Sequence, residues 1–353
     1  MSHNKINDIL QQFSVEGLLI SNGCNMRYLS GFSGAAGYLF ITEERKVILT
    51  DFRYTIQAES ESRDYEILEV EGDYESVLNL LIREEGIKTI GFEGNDVHYC
   101  DYVKMKEKLV VDKLVSIKDA VTSLRSVKMP WELERLQKAE EIGDLAFQKI
   151  LPEIKPGVTE LELAAKIEYL LKTNGAEGLS FETIVASGVN SAKPHAAPSN
   201  KKIEYGDFVL MDFGCIYQGY CSDMTRTVVV GKASQEQKKV YQTVLDAQTA
   251  ALDFIQAGYE GCEIDQVARK LINDRGYEGC FGHGLGHSVG LFIHENPRLS
   301  PKERNVIEEN TIETVEPGIY IKDFGGVRIE DMVLVTKEGC INFTKSTKQL
   351  IEL

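Results

Sequence analysis

Residues 154–178 read Ile-Lys-Pro-Gly-Val-Thr-Glu-Leu-Glu-Leu-Ala-Ala-Lys-Ile-Glu-Tyr-Leu-Leu-Lys-Thr-Asn-Gly-Ala-Glu-Gly, and their outline returns 101 positions later. Ile154-Lys-Pro-Gly157 answers to Ile255-Gln-Ala-Gly258, and Gly175-Ala-Glu-Gly178 to Gly276-Tyr-Glu-Gly279. Between these markers the apolar positions coincide at helical spacing: Leu163 with Ile264, Leu170 with Leu271, Leu171 with Ile272. Thr159 with Glu162 makes a capping box at the start of the first copy. A further helical pattern precedes each copy, at 131–151 and 235–257, and strand-rich sequence follows each. Two helices and then strands, twice over, predict two similar halves facing each other.

Upstream of the repeat, residues 1–125 read as a separate α/β unit. Short apolar runs at 15–20, 37–41, 46–50 and 89–92 are expected to be buried strands, with helical patterns between them, as at 74–85. Asn25-Met-Arg-Tyr-Leu-Ser-Gly-Phe32 and Thr50-Asp-Phe-Arg-Tyr54 are polar-aromatic clusters without ligand spacing, so a structural or subunit-contact role is expected. Gly31, Gly34 and Gly37 mark turns. Lys128-Met-Pro130 breaks the chain, and Pro130 suits the first position of a helix running to about residue 150. The boundary divides the chain into domains 1–125 and 126–353.

The 353 residues carry a net charge of −16 and no basic run, which excludes a nucleic-acid partner or an anionic membrane surface. The amino terminus lacks an apolar signal core and no apolar run reaches a membrane span. Seven cysteines, scattered and without a CxxC pair, are expected to be reduced thiols of a cytoplasmic protein.

The chemistry centres on 281–297, Phe-Gly-His-Gly-Leu-Gly-His-Ser-Val-Gly-Leu-Phe-Ile-His-Glu-Asn-Pro, where His283, His287 and His294 stand among four glycines. Imidazole is the commonest metal ligand and proton carrier near neutrality. The spacing is not that of a zincin, and no Lys-Ser/Thr follows to face a phosphate. Strand-like sequence elsewhere carries acids where apolar residues belong: Asp212 and Asp223 in the first half, Glu316 and Glu330 in the second. A buried carboxylate must be paired, neutralised or bound to a cation. Asp212 lies 104 residues before Glu316, Asp223 lies 107 before Glu330, and His195 lies 99 before His294, all close to the repeat offset. Each half thus offers two acids and a histidine to a common centre, with His287 as the odd ligand. Four carboxylates and an imidazole suit two divalent metals sharing bridging carboxylates.

These residues resemble the family of aminopeptidase P, prolidase and methionine aminopeptidase, with its pita-bread catalytic domain. The matching stretches are Met211-Asp-Phe-Gly214, Gly219-Tyr-Cys-Ser-Asp-Met-Thr-Arg-Thr227, Gly282-His-Gly-Leu-Gly-His287, Ile293-His-Glu-Asn-Pro297, Val315-Glu-Pro-Gly318 and Val327-Arg-Ile-Glu-Asp331. Asn25–Phe32 and 50–54 resemble the creatinase-type N-terminal domain that proline-specific members carry and methionine aminopeptidases generally lack. The resemblance implies an α/β (α+β) chain: a creatinase-like domain, then a pita-bread domain with an internal pseudo-twofold repeat. It implies that Asp212 chelates one metal, that His287 and Glu316 bind the other, and that Asp223 and Glu330 bridge them. Family members commonly use Mn²⁺ or Co²⁺. Glu316 would also carry the proton, with His294 and His195 hydrogen-bonding the substrate and His283 lining its pocket. Arg298 would bind a substrate carboxylate or stand as a surface residue; Arg328, two residues from Glu330 on one strand face, would hold the carboxylates or touch substrate. The implied activity is hydrolysis of the bond between an N-terminal residue and proline, by a dipeptidase or an aminopeptidase that is often a homodimer. The rivals are a catalytically silent pita-bread protein that binds peptides or partners, and a general or methionine aminopeptidase.

Overall fold

The computed structural model describes residues 3–353. The chain divides after Arg125 into two compact units, the second being Ser126–Leu353. In the first, six strands form one mixed sheet: β1 (Gly17–Ile20), β2 (Tyr38–Thr42), β3 (Lys46–Thr50), β4 (Glu66–Glu69), β5 (Thr89–Phe92) and β6 (Lys113–Ser116), in the order β4-β3-β2-β1-β5-β6. The apolar runs are nearly unbroken because helices cover both faces. Leu18, Leu39 and Ile48 enter one buried cluster, while Leu19, Phe40 and Leu49 enter another. The helix Gly23–Ser30 is capped by the Asn22 side chain and stopped at Gly31, whose φ of 85° favours glycine. Inside it, buried Asn25 donates to Glu93 at 2.6 Å and accepts from Arg125 at 2.7 Å. The polar-aromatic cluster is therefore a structural knot.

The second unit repeats one plan. The helices Pro130–Ile150 and Glu160–Thr173 pack on each other and precede β7 (Gly178–Leu179), β8 (Ile184–Ser187), β9 (Phe208–Phe213), β10 (Cys215–Tyr217), β11 (Tyr220–Cys221) and β12 (Met224–Val229). The helices Gln235–Phe254 and Gly261–Ile272 do the same before β13 (Gly286–Ser288), β14 (Glu295–Leu299), β15 (Ile312–Val315), β16 (Gly318–Ile321), β17 (Gly325–Arg328), β18 (Asp331–Thr336) and β19 (Gly339–Asn342). Thr159 and Glu162 cap each other reciprocally, as their spacing predicts. Each half has its own apolar core under its helices, with Leu163, Leu171 and Met211 in one and Ile264, Ile272 and Val333 in the other. The halves meet where Thr225 of β12 bridges Glu330.

Three strands expected to be continuous are broken. The sequence 220–230 parts between Cys221 and Met224, 310–320 between Val315 and Gly318, and 326–331 between Arg328 and Asp331. Asp223, Glu316 and Glu330 occupy these breaks, so strand alternation does not dictate where their side chains point. Pro317, with no N–H to donate, sits in one of them. Asp212 alone lies inside a ladder, between Ile184 and Thr225.

A polar knot closes the seam. Arg226 of β12 is buried, and its guanidinium donates to Asp331 at 2.8 Å and to the carbonyls of Glu330, Ser346 and Thr347. The other oxygen of Asp331 accepts from Gln248, Asn342 and Lys348.

Candidate metal centre

All ten residues singled out in the sequence border one cavity of about 650 Å³: Asp212, Asp223, His287, Glu316, Glu330, His195, His294, His283, Arg298 and Arg328. One ligand atom from each of Asp223, His287 and Glu330 lies within 4.8 Å of the other two, and all three residues are buried. His287 stands on β13, whose neighbour Gly286 has no room for a side chain. A Cβ there would sit 1.9 Å from the Thr314 carbonyl oxygen. Nδ1 of His287 faces the Ser288 carbonyl at 3.1 Å, so it carries the hydrogen. Nε2 therefore points a lone pair at Asp223 and Glu316, each 3.6 Å away. An imidazole fixed by one nitrogen and open at the other has the posture of a metal ligand. Glu316 is held by its N–H on the Leu285 carbonyl at 2.8 Å, and Glu330 by the Thr225 hydroxyl at 2.6 Å.

The electrostatics are those of crowded, buried carboxylates. Burial, reinforced by the neighbouring carboxylates, pushes Asp223 and Glu330 well above the usual carboxylate range. Glu316 is pushed up to about 8 by burial, against the pull of Arg328. Burial drives His287 down to about 3, keeping it neutral. One oxygen of Asp212 is buried and accepts no hydrogen bond. Crowded acids, a neutral imidazole and an orphaned oxygen fit divalent metal ions, whose charge removes the cost of ionising the acids together.

Arg328 spends its donors on the protein. It bonds Asp212, the Thr225 hydroxyl at 3.0 Å, the Tyr320 hydroxyl at 2.8 Å and the Pro194 carbonyl at 3.3 Å. His283 borders the cavity, but both ring nitrogens are engaged. Nδ1 donates to the Gly284 carbonyl at 2.8 Å, which leaves Nε2 to accept from Tyr320 at 2.9 Å. Burial, with Arg328 nearby, lowers His283 to about 4. The ring of His294 lies 4.6 Å from that of His287, centroid to centroid. His195 stands exposed on the loop after β8. Among the described residues Arg298 forms no ion pair.

Sequence reading missed several supports. Tyr320 ties Arg328 to His283, yet a tyrosine in a strand reads as core. Glu140 accepts the Asp223 N–H at 3.3 Å and the Thr344 hydroxyl at 2.6 Å, and burial raises it to about 8. Its signal was available, since Leu136, Glu140, Gly143 and Phe147 share one helical face that is otherwise apolar. A third group lies across β14-β13-β15, where Glu295, Ser288 and Glu313 are cross-strand neighbours. Glu295 accepts from Lys128 Nζ at 2.9 Å and from the Phe292 N–H at 3.1 Å. Glu313 is fully buried, its oxygens accept no hydrogen bond, and burial raises it well above the carboxylate range, with Lys128 pulling the other way.

Residues 134–337 match metallopeptidase family M24, and residues 3–127 match the creatinase/prolidase N-terminal domain. This chain belongs to family M24. It is 40% identical over 349 residues to an Xaa-Pro dipeptidase of Pyrococcus horikoshii, covering 98% of this chain and 97% of the relative. Among solved structures, an Xaa-Pro dipeptidase from Bacillus anthracis superposes with a TM-score of 0.96 at 42% identity, covering 99% of each chain. An X-Pro aminopeptidase from Thermotoga maritima gives 0.92 at 38%, covering 98% of this chain and all of the other. The M24 chain described here is therefore a metallopeptidase with the pita-bread fold in its catalytic domain, preceded by a creatinase-type domain. Among the described residues no helix is long and apolar enough to cross a membrane.

Proposed function

We propose that this protein hydrolyses the bond between an N-terminal residue and proline, and that its preferred substrate is the dipeptide. The observation that carries the dipeptide reading is Arg298, a guanidinium in the cavity wall with no carboxylate of its own. A dipeptide presents its C-terminal carboxylate one residue beyond the scissile bond, and a guanidinium binds it bidentately. The names of the relatives, dipeptidases and an aminopeptidase for proline, support the bond chosen.

In this reading Asp212, Asp223, His287, Glu316 and Glu330 would hold two divalent ions. The oxygen-rich set favours Mn²⁺, with Co²⁺ as the other candidate. The ions supply Lewis acidity, polarising the scissile carbonyl and acidifying a water. Glu316 takes the proton of that water and delivers it to the proline nitrogen, which has none of its own and leaves only when protonated. His294 and His195 hydrogen-bond the substrate and steady charge on the carbonyl oxygen. Arg328 and His283 act through their partners: Arg328 fixes Asp212, and His283 holds Tyr320. The N-terminal unit, 1–125, is assigned to a homodimer contact, supported by Phe52 and Ile56, which are 75% and 82% exposed. Seven cysteines, none joined in a disulfide among the described residues, support a reducing, cytoplasmic setting.

The test is hydrolysis by metal-stripped protein after adding Mn²⁺, Co²⁺ or Zn²⁺, with an Xaa-Pro dipeptide, an Xaa-Pro-Xaa tripeptide and an Xaa-Ala control. Cleavage of the dipeptide in preference to the tripeptide, with the Xaa-Ala control left intact, is expected. Preferred cleavage of the tripeptide would make the protein an aminopeptidase, and cleavage of neither would overturn the proposal.

A further inference from the structure

The cavity wall that carries His195 has little to hold it in place. Pro194, His195, Ala196, Ala197 and Pro198 all border the cavity, and among the described residues 195–198 form no backbone hydrogen bond. Two prolines limit the backbone, but nothing in the wall itself fixes its position. What fixes it lies on another element. Glu160, the first residue of the helix Glu160–Thr173, is fully buried. Its Oε1 accepts from the Ser187 N–H at 2.7 Å, the Ser187 hydroxyl at 2.9 Å and the Asn190 amide at 3.2 Å. Its Oε2 accepts from the Ser199 N–H at 3.1 Å and the Ser199 hydroxyl at 2.6 Å. The helix start adds two more bonds, from the N–H groups of Glu160 and Leu161 to the carbonyls of Lys201 and Ser199. One carboxylate thus grips both ends of the loop 188–198. In mid-loop, Pro194 accepts from Arg328 and the Ser191 hydroxyl accepts the Gly326 N–H at 2.8 Å. Gly326 is required there, because a Cβ would lie 2.2 Å from the Ser191 carbonyl oxygen.

We propose that Glu160 is a positioning residue of the active site: by clamping both ends of the loop 188–198 it sets where His195 stands over the substrate. The inference rests on the reading above that His195 contacts substrate. A carboxylate is required because every partner is a donor. Glutamine keeps the shape but turns an NH2 group toward the Ser187 or Ser199 N–H, donor against donor.

The experiment uses the full chain and Glu160→Gln, with Asn190→Ala as a milder variant that removes one donor. In the metal-free protein, hydrogen exchange of amides 188–199 should quicken in both variants, while the strands carrying Asp212 and His287 keep their protection. In the metal-loaded protein, kcat/KM on an Xaa-Pro dipeptide should fall about 10- to 100-fold for Glu160→Gln, mostly in kcat, as expected for a misplaced catalytic contact. In a His195→Ala background the same substitution should cost less than about twofold, the mark of two residues acting as one unit. Unchanged exchange of 188–199 in both variants would overturn the clamp. Equal losses with and without His195 would overturn its action through that histidine. Should Glu160→Gln fail to fold, Asn190→Ala carries both arms. If the wild-type protein cleaves no Xaa-Pro substrate, the functional reading falls while the exchange arm still decides the clamp.

Discussion

Lys128→Met probes how much the catalytic unit depends on a buried charge pair beside the metal cage. Lys128 and Glu295 are 2.9 Å apart with side chains only 1% and 3% exposed, so water screens neither charge. Glu295 directly follows His294, and two strands away Glu313 is buried with no hydrogen-bond donor of its own. Methionine fills the lysine's volume but leaves Glu295 to face the interior without the ammonium. Removing one member of a buried pair costs about 3–5 kcal/mol. For a unit of this size each kcal/mol moves the thermal midpoint by roughly 2–4 °C, so a fall of roughly 6–20 °C is expected. The chain's one tryptophan, Trp131, lies in the catalytic unit, so its fluorescence follows that unit's unfolding. Adding Glu295→Gln to Lys128→Met should recover part of the loss, because it removes the buried negative charge that Lys128 offsets. A loss below about 1 kcal/mol, the size of an ordinary surface pair, would refute the reasoning.

Three further outcomes are expected. Glu316→Gln should lower kcat about 10²- to 10⁴-fold while metal still binds through Asp223, His287 and Glu330; turnover near the wild-type value would remove Glu316 as proton carrier. Arg298→Ala should raise KM for the dipeptide about 10- to 100-fold, as loss of a charge-assisted hydrogen bond implies, and spare the tripeptide; equal effects on both would exclude a carboxylate contact. In the metal-free protein Glu316 sits at about 8 against an ordinary 4.5. The folded state therefore retains a proton that the unfolded chain releases. Its contribution to stability is full below about pH 4.5 and is lost as pH rises through about 8. Chelator-treated protein should thus melt lower at about pH 9 than at about pH 6, with the trend removed by added metal; a flat or rising midpoint would contradict the shift.

The repeat and the residues that gather at the cavity were legible because both are written in local patterns. Apolar spacing locates a helix, and an acid in an otherwise buried run stands out, as Asp212 does. The helix of 235–257 was read three residues too long because its apolar pattern continues to Ile255, where the backbone turns extended. The strand breaks at Asp223, Glu316 and Glu330 were not legible, since the acceptors of their N–H groups, on Glu140, Leu285 and Thr225, lie on distant segments. Glu160 and Lys128 escaped for a related reason. At a helix start and in a linker, a charged residue reads as solvated, and only partners 27 to 167 residues away reveal its burial.

The knot around Arg226 also bears on synthesis. A chain made from its amino end presents Arg226 to the growing structure 105 residues before Asp331 and 120 before Ser346. At ribosomal speeds of about 5–20 residues per second the guanidinium waits roughly 5–25 s for its acceptors. During that interval the guanidinium lacks the Asp331 carboxylate it donates to, and Glu140 of the first half is the opposite charge already made near it. Glu330 emerges one residue ahead of Asp331, so the last acid bordering the cavity and the knot's acidic centre arrive together. Gathering of the cavity's acids therefore waits for the second copy of the repeat, and a chain stalled before Glu330 lacks one of them.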